Sequence, residues 1–112
     1  MISMREAYEK IGADYDGASV RLMGEEMLAR FALKFLDDES MDKLEAAMAA
    51  GDAESAFMAV HTLKGVSQNL GFDNLYEPAV VVTEALRDAD TVDGARDGMH
   101  ALRQQYAATM SA

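Results

Sequence analysis

From Ala56 to Leu70 the small and apolar residues return every three or four positions, a period that a strand cannot bury on one side. At about 100° per residue, with Leu63 at the centre, Ala56, Ala59, Val60, Val66, Ser67 and Leu70 all fall within roughly 60° of one direction. That stripe demands an amphipathic helix with its apolar side in a core. Met58, His61, Gly65 and Gln68 fall on the opposite side, with Phe57 and Lys64 on the shoulder between them. The one histidine of the segment is thereby directed to water.

A histidine on an outward helical face is ordinarily a polar surface residue, and the neighbours of His61 are what set it apart. An exposed imidazole, with a reference pKa of about 6.5, is largely neutral near pH 7 and offers a ring-nitrogen lone pair as a nucleophile without help from a base. Lys64, three residues on, can balance negative charge arriving on the ring. Gly65 costs the helix about 1 kcal/mol relative to alanine. A glycine in mid-helix often marks a close backbone approach, here leaving a notch for an acidic loop of a partner. Phe57 and Met58, one turn earlier, offer that partner an apolar footing. The pattern suits a docking surface more than an enclosed pocket.

His61-x-Leu63-Lys64-Gly65, with Gly71 six residues after Gly65, resembles the signature of the histidine-containing phosphotransfer (HPt) domain family of bacterial and fungal phosphorelays. Arg21-Leu22-x-Gly24 ahead of a helix, Phe35, and Ala49-Ala50-Gly51-Asp52 extend the resemblance over most of the chain. It implies that His61 accepts a phosphoryl group, typically on Nε2, from the aspartyl phosphate of a response-regulator receiver domain and passes it to another receiver. In such a carrier His61 is the phospho-acceptor. Lys64 and Gln68 stabilise the phosphate, while Phe57, Met58 and Gly65 dock the receiver. Any divalent cation, magnesium, is expected on the partner receiver, and no cofactor or metal is expected on this chain.

A length of 112 residues suits one domain with one core, expected over 1–112, with an N-terminal helix and turn over 1–24 and a helical bundle over 25–110. Half of the residues are hydrophobic, aromatic residues are few and no sheet pattern is present, which favours an all-α protein. The absence of cysteine excludes disulfides and thiolate metal sites and fits a reducing cytoplasm. No apolar run approaches the roughly 18 residues of a membrane span, and the N-terminus lacks the basic and apolar regions of a signal peptide. A cytoplasmic protein with no membrane partner is expected. The formal net charge of −10 opposes nucleic acid, and it is read chiefly as a solvated acidic surface.

Along the chain, Ser3-Met4-Arg5-Glu6 reads as a capping box for a short helix with Ala7, Tyr8 and Ile11, ending at Gly12. Asp14-Tyr15-Asp16-Gly17 suggests a calcium loop, but Gly12 would then stand at the first ligand position and Met23 at that of the bidentate glutamate, so a turn is expected. Leu28, Phe31 and Phe35 follow one helical phase from about Glu25, and Met41, Leu44 and Met48 another. A break or sharp bend is expected in Asp37-Asp38-Glu39-Ser40, with Ser40 as a cap. Gly51 and Asp52 form a helix-to-helix turn, and Gly71 takes a left-handed, structural position with Phe72 folded back over the last turn. Asp73 is expected to cap the next helix, whose regular part starts at Glu77 or Pro78 because of the proline. Asp90 or Thr91 caps a last helix carrying Val92, Ala95, Met99, Leu102 and Tyr106, and Gly94 and Gly98 permit close packing. His100, off that apolar stripe and without metal-ligand neighbours, reads as a surface residue.

Short connections then give an antiparallel four-helix bundle with a short extra N-terminal helix. No glycine-rich phosphate loop or catalytic triad is present, so autonomous kinase activity is not expected. The leading function is a monomeric phosphoryl carrier between receivers, with a hybrid histidine kinase as a further partner. The alternative is an interaction module that binds and inhibits a receiver or histidine kinase without carrying phosphate. The initial methionine and domain-sized length favour a free-standing protein over part of a larger kinase.

Overall fold

The structure, a computed structural model, describes residues 4–22 and 24–111. Helices α1 (Met4–Lys10), α2 (Tyr15–Arg21), α3 (Glu25–Phe35), α4 (Ser40–Ala50), α5 (Ala53–Asn69), α6 (Asp73–Leu86) and α7 (Arg96–Ser111) follow in order, with a 3₁₀ turn over Asp93–Ala95 leading into α7. No strand occurs among the described residues.

α4, α5, α6 and α7 form the antiparallel bundle, each packed on its sequence neighbour. Arg103 on α7 closes the ring with a bidentate pair to Glu45 on α4, its Nη2 2.9 Å from Oε1 and its Nε 2.9 Å from Oε2. The interior is apolar: Leu44, Val60, Leu63, Leu75, Val82, Met99 and Leu102 are fully buried. Gly98 lets α7 approach α6, since a Cβ there would stand 3.2 Å from Val82 Cγ2.

The two apolar phases around residue 38 resolve as two helices, with the chain leaving helical geometry between Phe35 and Ser40. At about 1.5 Å per residue α5 spans roughly 25 Å, longer than either α3 or α4. α4 covers one part of α5, while α3 flanks its C-terminal half, where Phe31 and Phe35 face Val66 and Leu70 across a groove. Ser40 is not the cap. It is the first residue of α4 and is buried, and its amide donates to Asp38 Oδ1 at 2.8 Å. Phe31 is 38 % exposed, so only Leu28 and Phe35 of its phase enter the core.

Residues 14–17 do not form a plain turn. Asp14 accepts from the Gly17 amide at 3.0 Å and caps α2, a second N-terminal helix that the sequence reading omitted. Ser3 of the expected capping box and Met23 of the rejected calcium alignment lie outside the described residues. Tyr8 of α1 is buried against Phe72, ring centroids 5.2 Å apart, and Phe72 also meets Phe35 at 5.4 Å.

α6 begins at Asp73, not at Glu77 or Pro78. Asp73 is its first residue rather than its cap; Phe72 holds the cap position without a side-chain bond. Pro78 sits inside the helix and removes the amide that would otherwise bond the Asn74 carbonyl. Burial of Leu75, Ala79, Val82 and Leu86 on one face offsets that loss. The last helix starts at Arg96, later than a cap at Asp90 or Thr91 would give: Val92 and Ala95 are buried just ahead of it, at the 3₁₀ turn, where the Asp93 amide donates to Thr91 Oγ1 at 3.4 Å.

Candidate functional site

α5 is held at both ends by local chemistry. Asp52 accepts from the Ser55 amide at 3.1 Å and from the Ser55 hydroxyl at 2.7 Å, capping the N-terminus, while Gly51 at φ +71° closes α4 in the left-handed region that favours glycine. At the other end Gly71, φ +69°, turns the chain, and the Phe72 amide donates to the Ser67 carbonyl at 2.9 Å. Between them Ala56, Ala59, Val60, Leu63 and Ser67 are buried. Ser67 spends its hydroxyl on the Leu63 carbonyl at 2.7 Å, so its burial leaves no unpaired donor.

The opposite face is arranged as the helical angles dictate. His61, Met58 and Gln68 are exposed, and Phe57, Lys64 and Gly65 are half-buried. Met58 keeps 63 % of its surface open, a large apolar group one turn from the imidazole. Apart from its chain neighbours and the adjoining backbone of its own helix, no heavy atom stands within 4 Å of where a Gly65 Cβ would be. Internal packing therefore does not demand a glycine there, and the helix gives up stability for clearance on its outer side.

Contacts across helices add groups that periodicity alone does not reveal. The Phe57 ring lies 5.8 Å from the His61 ring, tilted by 35°. The Arg87 guanidinium, from the end of α6, stands 5.5 Å from the same Phe57 centroid. Glu84, one turn before Arg87, accepts from Arg87 Nη2 at 3.1 Å and Nε at 3.3 Å. Arg21 of α2 donates to the Gln68 carbonyl at 2.9 Å and ties the N-terminal pair to the histidine helix. Between α3 and α5 runs a groove of about 290 Å³ lined by Leu22, Phe31, Lys34, Val66, Asn69 and Leu70. Lys34 Nζ lies 5.7 Å from the Phe31 centroid, and with Asp38 it gives this apolar strip one cation and one carboxylate at its edge. The sequence signals for these groups are faint. Glu84 and Arg87 are visible as an i, i+3 pair, but nothing in the chain order places Phe57 beneath Arg87.

A family model described as Hpt domain matches residues 26–112. The chain belongs to the Hpt domain family. Hpt domains act as phosphorelay carriers in two-component signalling rather than as kinases, and they interact with response-regulator receivers. In this Hpt domain α1 and α2 precede the matched segment, which begins inside α3. Comparison with curated proteins and with solved structures found no match.

The second histidine of this Hpt domain, His100, is exposed on α7 beside Arg96, Arg103 and Glu45, on a helix that does not carry the family-like motif. Among the described residues no group of three or more His, Asp or Glu side chains is placed to hold a metal ion, and no helix is long and apolar enough to cross a membrane.

Proposed function

We propose that this Hpt domain carries a phosphoryl group on His61, taking it from the aspartyl phosphate of one receiver and giving it to another. The observation that supports this reading is the pairing of an exposed imidazole with an open notch: His61 and Gly65 share the outer face of a helix whose inner face is locked in the core. In the transfer a ring-nitrogen lone pair, on Nε2, forms the N–P bond as the P–O bond of the acyl phosphate breaks. The electron pair returns to the partner's carboxylate. Magnesium on the receiver supplies charge neutralisation on the leaving side. Lys64 offers a cation to the arriving group, and Gln68 offers a hydrogen bond beyond it. Phe57, Met58 and the edge of Gly65 give the receiver its footing, in a transient interface of modest size. A monomeric protein of the cytoplasm, free of nucleic acid and membrane, fits this role.

The test is phosphotransfer from a panel of prephosphorylated receiver domains with magnesium present, comparing the wild type with His61→Gln. Acid-labile label on the wild type alone supports the carrier. Binding of a receiver without any label supports the inhibitory module instead.

A further inference from the structure

Glu84 is a carboxylate linked to His61 through two intervening side chains, Arg87 and Phe57. It lies on α6, which packs along α5, and it engages Arg87, whose guanidinium covers the Phe57 ring that touches His61. The hydrogen bond and charge of Arg87 hold the Glu84 carboxyl below its usual range, and the charge of Lys64 pulls it the same way. Glu84 thus shares its field between Arg87, the residue that closes α6 and stacks on the Phe57 ring beside His61, and Lys64, one turn from His61 on α5. Both members of the Arg87–Glu84 pair are about half exposed, so the pair adds little to fold stability and is free to rearrange.

We propose that Glu84 is a built-in counter-charge to the phosphoryl group: by occupying Arg87 and partly neutralising Lys64, it keeps phosphorylated His61 easy to discharge. Without Glu84 the two cations would act undivided on the phosphoryl dianion and hold it. With it, the negative charge of the phosphoryl group meets a competing carboxylate. Release moves charge away from that carboxylate as the N–P bond breaks, its electron pair returns to the ring nitrogen, and PO₃ passes to an acceptor oxygen. A carrier must let go as readily as it accepts, and an anion shared between these two cations sets that balance. Glu84 acts through Arg87 and Lys64 and makes no bond to the reacting atoms, so it is a tuning residue and not a catalytic one. The inference rests on His61 being the acceptor.

The experiment labels the whole chain chemically with phosphoramidate, which phosphorylates accessible imidazoles without a receiver. Loss of label from His61 and from His100 is then followed separately by ³¹P NMR at fixed pH. Removing one surface charge near the site, Glu84→Gln is expected to slow loss from His61 by about two- to fivefold. Arg87→Gln is expected to speed it by a similar factor, and both effects are expected to shrink in about 1 M salt, where screening acts within a few ångströms. Loss from His100, on a different helix, stays unchanged in every variant. Opposite signs and salt sensitivity would not arise from a merely structural perturbation. Equal loss rates for wild type and Glu84→Gln at low salt, with His61 labelled in both, would overturn the counter-charge while leaving the carrier role intact. Labelling of His100 but not His61 would overturn the acceptor assignment itself, and this inference with it.

Discussion

Asp14 and Gly71 meet backbone to backbone: the Asp14 amide donates to the Gly71 carbonyl at 2.6 Å, and a Cβ on Gly71 would run into the Asp14 carbonyl and stand 2.9 Å from Ala18 Cβ. The residue that ends the histidine helix is therefore also the seat of the N-terminal helix pair. Arg21 adds a second tie from α2 to the same helix end at the Gln68 carbonyl.

Gly71→Ala is expected to destabilise the fold by about 2–4 kcal/mol, combining a side chain in the left-handed region with an overpacked contact. Urea unfolding checks it. A loss under about 0.5 kcal/mol would mean that the N-terminal pair is not seated on this glycine.

Gly65→Ala is expected to move stability and function in opposite directions. The added methyl meets no neighbour, so the helix gains up to about 1 kcal/mol in urea unfolding. Phosphotransfer from a receiver slows, because the same methyl fills the notch. An unchanged transfer rate would remove clearance as the reason for this glycine.

Lys64→Ala is expected to slow transfer roughly tenfold without abolishing it, the scale of one lost charge-assisted contact. Rapid-quench kinetics with a prephosphorylated receiver measure the rate. A wild-type rate would take Lys64 out of the transfer step.

Asp52 gives the fold a pH dependence of known sign. Hydrogen bonds from the Ser55 hydroxyl and amide hold its carboxyl below the ordinary range. An acid depressed by folding contributes stability above its unfolded pKa and loses that contribution as pH falls through the folded value. Asp52→Ala is therefore expected to melt at a lower temperature than wild type at pH 7, with the gap narrowing from about pH 4 downward. Thermal melts across that range check it, and a gap that widens in acid would contradict the cap.

The sequence made the histidine helix legible because its inner and outer faces differ sharply in residue type, and a single angle of about 100° sorts them. Leu63 and Ser67 are buried and His61 and Met58 exposed for that reason. The break near residue 38 was legible too, since two apolar phases cannot share one straight helix. α2 was not. Its seven residues include Gly17 and Ser19, weak helix formers, and it persists through its seat on Gly71 and its Asp14 cap. The start of α6 was misjudged because the local cost of Pro78 was visible and the burial that offsets it was not. Arg87 over Phe57 and Arg21 on Gln68 join residues 30 and 47 positions apart, distances over which periodicity carries no information.

The measurement closest to the central claim is the position of the label. The chain is phosphorylated by a receiver with magnesium present, digested at neutral pH, and the phosphopeptides are read by tandem mass spectrometry. Phosphate on the peptide containing His61, on its imidazole and absent from that containing His100, is expected. Phosphate on His100, or on an aspartate or glutamate with His61 unmodified, would contradict His61 as the carrier.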